Sequence, residues 1–169
     1  MPSRPSRKET YAELETPQDH GEAEKPFWET VALETMTAPQ WESLCDRCGL
    51  CCLVKLEDED SGQIYLTDIA CKLFDEGSCA CASYATRRKK VRDCIKLTPK
   101  TVRSIRWLPK TCAYRLVAEG RPLEAWHPLV SGSEQSVHDA GISVSGRIGG
   151  SEKTVELEDY PSHIVTWEV

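Results

Sequence analysis

Four cysteines fall within eight residues, Cys45, Cys48, Cys51 and Cys52, in the order C-x2-C-x2-C-C. Two intervening residues let one backbone turn direct both sulfurs at a single ion, and Gly49 relieves that turn. The half Cys45-x2-Cys48-Gly49 is the pattern of a zinc knuckle. The longer run through Cys51 is also how bacterial ferredoxins present three thiolates to an iron–sulfur cluster. The ferredoxin match is partial, because Cys52 follows at once and no Cys-Pro closes the run. Consecutive side chains diverge in extended backbone. Cys51 and Cys52 therefore either serve two neighbouring metals, or one ligates while the other packs.

Five further cysteines follow, Cys71, Cys79, Cys81, Cys94 and Cys112, bringing the total to 9 in 169 residues. Nine thiols suffice for two four-coordinate sites with one left over, and an odd number excludes full internal pairing. The first 26 residues carry charges but no apolar core segment, so a cleaved secretory signal is not expected. A cytoplasmic, reducing location follows as the expectation, and there such thiols serve as metal ligands rather than disulfides. The core is lean: the hydrophobic fraction is 40% with the cysteines included, and Phe occurs only twice. Something besides apolar burial must help hold the fold. No apolar run reaches the ~18–20 residues of a membrane span, so no membrane role is expected.

The net charge of -6 hides an asymmetry. Residues 82–121 hold twelve Lys and Arg against Asp93 and Glu119, a local +10, which leaves −16 for the rest. Such a block can recognise an anion or nucleic acid, with Arg87, Arg88, Lys89 and Lys90 as its centre. Alternatively it offsets acidic flanks and metal thiolates, since two four-thiolate zinc sites place about −4 in a small volume, which nearby N–H donors must neutralise. The second use is the expected one, and a nucleic-acid partner is not expected. A protein partner stays open and unidentified.

Along the chain, residues 1–25 read as a disordered arm, 26–130 as a cysteine-cluster metal-binding domain, and 131–169 as an extension with short strands. Thr37 and Gln40 form a capping-box pattern that predicts a short helix burying Trp41 and Leu44. Residues 63–66 predict a strand after the acidic loop 57–60. Helical character is predicted for 84–97, for a segment opening at Thr98-Pro99 and stopped by Pro109, and for 112–119 ending at Gly120. Residues 142–144 and 154–157 alternate as strands do. The fold class predicted is α+β: small, helix-rich and metal-stabilised.

Outside the cysteines, His127 could complete a site of three cysteines and one histidine, or simply pack with its ring bonded to backbone. The acidic loop reads as solvated. No nucleotide-binding loop and no supported Cys/His pair is present, so no catalytic residue is assigned and enzymatic activity is not the leading expectation.

Together the segments PFW, WESLCDRCGLCC, DEDSGQIYLT, IACKL, DCIKLT, WLPKTCAYRLVAEG and AWHPL resemble the YcgN-type cysteine-cluster proteins. These sit within a broader group named for a CxxCxxCC-like motif and described as a zinc- or iron-chelating domain. The resemblance runs from about Phe27 to Val144 and implies a small, soluble, bacterial metal-binding protein. It maps the group's cysteines onto Cys45, Cys48, Cys51, Cys52, Cys71, Cys81 and Cys94. Cys112 belongs to the CAY segment of the closer relatives, and Cys79 is a further candidate, like His127. Arg88-Lys89 stands where the broader group often has Arg-Pro. The function expected is metal binding, with zinc or an iron–sulfur centre as cofactor. An iron–sulfur redox protein or enzyme, and an anion- or nucleic-acid-binding module on 82–121, are the alternatives.

Overall fold

The computed structural model describes residues 25–167. The expected N-terminal arm thus lies outside the described residues, except for Lys25. Helices are α1 (Phe27–Thr30), α2 (Ala38–Ser43), α3 (Arg87–Lys90), α4 (Ala113–Ala118), α5 (Pro128–Ser131) and α6 (Ser136–Asp139). Strands are β1 (Leu53–Glu57), β2 (Ile64–Ala70), β3 (Phe74–Asp75), β4 (Ala80–Cys81) and β5 (Gly150–Ser151). Both helices and strands are present, but no α-helix among the described residues exceeds 6 residues, so the helix-rich character expected is not what the structure shows.

The β1–β2 hairpin carries the cysteine region. It is antiparallel, with Lys55 opposite Leu66 and Glu57 opposite Ile64, and its register shifts between Leu53 and Lys55. Thr67, fully buried, donates its hydroxyl to the Val54 carbonyl at 2.8 Å, inside that shift. The acidic loop is the hairpin turn: Ser61 N–H donates to Asp58 Oδ1 at 2.7 Å, and Gly62 N–H to the Asp58 carbonyl at 2.8 Å. The strand expected at 63–66 is the start of β2, which runs on to Ala70. β5 joins β2 in parallel, Ile69 opposite Gly150, giving the order β1-β2-β5. β3 and β4 pair separately, Phe74 opposite Cys81.

Two helix expectations hold. Thr37 caps α2 in a reciprocal capping box with Gln40, Leu44 is fully buried, and Trp41 is half-buried. α4 is capped by Cys112, and Gly120 at φ +68 reverses the chain so that Arg121 N–H donates to the Leu116 carbonyl at 2.8 Å. Four expectations fail. Residues 84–97 give only a 3-10 turn (Tyr84–Thr86) and the single turn α3. That turn has no side-chain cap, and it sets the like charges of Arg87 and Lys90 three residues apart, which opposes helix formation. Thr98 closes one turn with Thr101 and Val102, but no helix follows, although Val102 is buried as expected. Residues 142–144 are not a strand: only Val144 bonds across, its N–H to the Cys48 carbonyl at 2.8 Å. Residues 154–157 lead into a 3-10 segment, Leu157–His163, and the pairing with β2 is made instead by β5.

Apolar burial is split. One cluster gathers Leu33, Leu44, Val102, Leu108, Ala113, Tyr114, Leu116 and Leu123, with Cys112 packed against it. The other holds Leu50, Leu53, Ala70, Cys79 and Val144, with Cys48 against it. Residues beyond 131 pack on this second cluster through Val144, Ile148 and Trp167.

Surface pairs add little. Glu119, between Arg115 (2.8 Å) and Arg121 (3.2 Å), and Glu34 against Arg103, are held below the ordinary glutamate value by the arginine hydrogen bonds. A carboxyl depressed on folding adds stability above its unfolded pKa, and that stability is lost as the pH falls through the folded value. Both pairs are exposed, so the effect on stability is small. NMR titration is expected to place both midpoints below the ordinary glutamate value, and Arg103→Met to raise that of Glu34 alone.

Candidate metal centre

The cysteine turn begins where α2 ends. Cys45 N–H donates to the Glu42 carbonyl at 3.3 Å. Asp46 then bends the chain, its Oδ1 accepting the Cys48 N–H at 3.0 Å. Arg47 (φ 59) and Gly49 (φ 80) both take the left-handed conformation. The 3-10 turn Leu50–Cys52 follows, closed by Cys52 N–H to the Gly49 carbonyl at 2.9 Å. Lys55 reaches back over this turn. Its Nζ donates to the carbonyls of Leu50 (3.0 Å) and Leu53 (2.7 Å) and lies 4.3 Å from the centre of the Trp107 ring. Burial pushes the Lys55 amine down to about 8, while Cys51, Cys52 and Cys48 oppose that shift.

The later cysteines are brought in by pairing. Cys71 N–H donates to the Cys52 carbonyl at 2.8 Å, so these two meet at one end of the β1–β2 hairpin. Phe74 N–H donates to the Cys71 carbonyl, and β3–β4 pairing sets Cys81 opposite Phe74. Cys94 arrives on the irregular segment after α3, and Cys112 as the cap of α4.

A cavity of about 400 Å³ is lined by Cys45, Cys51, Cys52, Cys71, Cys81 and Cys94, together with Lys55, Arg87, Glu152 and aromatic walls from Trp41, Tyr84, Trp107 and Tyr114. Cys45 and Cys51 keep exposed surface although protein surrounds them on most sides, because they border this open space. All nine cysteines are free thiols.

Their mutual electrostatics link eight of them in two overlapping sets. Burial, with the charge of Cys51 adding, pushes Cys45 up to about 12. Burial first, then Asp46 and Cys51, pushes Cys48 well above the ordinary thiol range. Cys112 rises to about 11, again chiefly through burial, with Asp46 and Cys51 contributing. Cys51 is therefore common to Cys45, Cys48 and Cys112, and its charge also raises Cys79 and Cys94. Cys52 gives its hydrogen bond to Cys51, which holds Cys51 down and Cys52 up; Lys55 also lowers Cys51. On its other side Cys52 feels Cys71 and Cys81. Cys71 feels Cys94, and Cys94 feels Cys81, all after a larger burial effect. Cys52, Cys71, Cys81 and Cys94 thus form the second set, which Cys51 joins to the first through Cys52 and Cys94. Among the described residues no three Cys, His, Asp or Glu side chains already close on one point as a metal site would. The thiols share space and await deprotonation, which ligation requires.

The remaining candidates take other places. Cys79 is buried in the second apolar cluster, at φ 49, with its sulfur 3.8 Å from the Cys48 carbonyl. His127 is buried; Nδ1 accepts the Leu129 N–H at 3.1 Å, so Nε2 carries the proton and donates to the Leu44 carbonyl at 3.1 Å. With both nitrogens engaged, His127 anchors the start of α5 to the residue before Cys45. Arg87 stacks 3.8 Å over Tyr84 and faces Cys94, whose burial-driven rise it opposes. Lys90 donates to Ser83 Oγ at 2.8 Å, and Arg88 and Lys89 are exposed.

Sequence reasoning missed Asp46, Lys55 and Glu152. Asp46 carries a signal, since Asp two residues ahead of an N–H is the pattern of an Asx turn. Lys55 and Glu152 carry none; Glu152, whose Oε2 accepts the Lys72 N–H at 2.8 Å and whose charge raises Cys71, comes from 80 residues away.

Residues 44–113 match the CxxCxxCC family, described as "Putative zinc- or iron-chelating domain". The chain is 57% identical over 141 residues to a UPF0260 protein of Rhodopseudomonas palustris strain HaA2, covering 83% of each. It is 60% identical over 138 residues to a UPF0260 protein of Mesorhizobium japonicum, 81% of this chain and 93% of that one. A UPF0260 protein of Rhizobium meliloti is 60% identical over 144 residues, 85% and 92% of the two chains. No solved structure matches. No helix among the described residues is long and apolar enough to cross a membrane.

Proposed function

We propose that this chain, which belongs to the UPF0260 family, is a cytoplasmic metal-binding protein with two adjoining centres, one on Cys45, Cys48, Cys51 and Cys112 and the other on Cys52, Cys71, Cys81 and Cys94. The observation that carries this reading is that Cys45, Cys48 and Cys112 are raised by the charge of Cys51, whereas Cys52 is raised by Cys71 and Cys81 as well as by Cys51. Eight soft donors in two groups of four suit zinc or iron, and Cys79 is the one left over. Bound metal would fix the cysteine turn where the two apolar clusters meet, since Cys45 follows Leu44 of one cluster and Cys48 packs on the other. Lys55 and Arg87 offset thiolate charge, and His127 fixes the approach to Cys45.

An iron–sulfur reading has one observation in its favour. Cys45, Cys48 and Cys51 fall in one group and Cys52 in the other, as in two-cluster ferredoxins, where the run's fourth cysteine serves the other cluster. Metal analysis and the visible spectrum of anaerobically purified protein separate the two. A colourless protein with two zinc ions supports structural zinc; a brown one with iron and sulfide supports the redox reading. A folded, metal-free protein with nine titratable thiols contradicts both.

The basic quartet gives a further test. Neutralising Arg87, Arg88, Lys89 and Lys90 together is expected to lower metal retention through Arg87. The intact protein is expected to bind DNA negligibly at physiological salt. Tight binding whose salt slope falls by about 0.9 per contact removed would instead support a polyanion site.

A further inference from the structure

Asp46 is the residue of the cysteine turn that the turn itself does not explain. Its carboxylate is 7% exposed. Oδ1 holds the Cys48 N–H, which completes the Asx turn. Oδ2 is buried with no hydrogen-bond partner. A serine or asparagine would close the same turn without burying a charge, and a buried, unpaired carboxylate oxygen is costly. Cations close by in sequence are engaged elsewhere. Arg47 points outward to Glu134 at 3.6 Å, and the Lys55 amine is bonded to backbone carbonyls. The Cys48 thiol lies against the Asp46 side chain, and the charge of Asp46 also raises Cys45, Cys51, Cys79 and Cys112. A buried carboxylate oxygen set in the turn between Cys45 and Cys48 is satisfied once a cation sits among these side chains.

We propose that Asp46 Oδ2 is an oxygen ligand to the metal of the Cys45, Cys48, Cys51 and Cys112 group, so that a mixed sulfur–oxygen site adjoins an all-sulfur one. The inference rests on the two-centre reading above. Carboxylate oxygen is an ordinary ligand for zinc and for iron. Five donors for a four-coordinate ion make one thiol dispensable, and Cys112, which reaches the group from the far end of the chain segment, is the one assigned that place. The first centre is then the more exchangeable of the two, and the second the more inert.

X-ray absorption at the zinc edge of the full zinc-loaded chain reads the claim without any variant. The expected shell is sulfur with a minority oxygen scatterer. Asp46→Asn keeps Oδ1 for the Cys48 N–H but puts an NH₂ group, which cannot ligate, in place of Oδ2. It is expected to lose the oxygen scatterer and to weaken one of two zinc ions by at least about tenfold against a chromophoric chelator, leaving the other unchanged. Cys112→Ala is expected to keep both ions, and the double variant to lose one. A sulfur-only shell in the unmodified protein, or an Asp46→Asn protein with unaltered shell and affinities, overturns the assignment while leaving the two-centre reading intact. An unmodified protein that binds neither zinc nor iron overturns both.

Discussion

Cys48→Ala and Cys51→Ala are each expected to cost metal and soluble, folded protein together. Each removes a donor from the group that joins the two apolar clusters. A closed structural zinc site contributes on the order of 10 kcal/mol or more in small cysteine-rich domains. That is comparable to the whole stability of an ordinary domain, about 5–15 kcal/mol. With apolar burial split into two modest clusters, little would remain. Cys79→Ala is the control. It deletes one buried sulfur outside both groups, and the expected loss is no more than about 1–2 kcal/mol, with metal content unchanged. Inductively coupled plasma analysis of the soluble fraction, beside a urea titration, checks both. Should Cys79 prove as damaging as Cys48, the assignment of the left-over cysteine fails.

Gly49→Ala is expected to be the most harmful change that removes no ligand. At φ +80 any other residue is strained by about 1–2 kcal/mol. A Cβ there would also stand 2.6 Å from Val144 Cγ2, 3.0 Å from Phe74 Cζ and 3.2 Å from the Cys79 sulfur. Those neighbours belong to the second apolar cluster and have little room to retreat. Overpacking of this kind adds roughly 1–3 kcal/mol. The urea midpoint measured at saturating metal is expected to fall by the equivalent of about 2–5 kcal/mol. A shift equivalent to less than about 0.5 kcal/mol would show that the turn is looser than its contacts indicate.

What could be read from the chain follows the range of the interactions involved. The Thr37–Gln40 capping box and the Cys112-to-Gly120 helix are decided within a few residues, and both stand as read. Residues 84–97 and the stretch after Thr98 have helix-like periodicity. Their folded shape is instead set by where Arg87 and Cys94 must lie and by a run of four like charges. The C-terminal alternation at 154–157 misled because the open edge of β2 is taken by Gly150–Ser151, a pairing that local pattern cannot foresee. In the site, the density of the cysteine motif was legible. The gathering of the distant cysteines was not, since it depends on Cys71 pairing with Cys52 and on β3–β4 delivering Cys81. Lys55 and Glu152 enter the site only through the fold.

Native mass spectrometry of the anaerobically purified full chain tests the two-centre account most directly. The account predicts a mass above that of the polypeptide by two metal centres, with one centre lost in Cys48→Ala, the other in Cys71→Ala, and neither in Cys79→Ala. A folded chain at the bare polypeptide mass, or a single centre abolished equally by Cys48→Ala and Cys71→Ala, would contradict it.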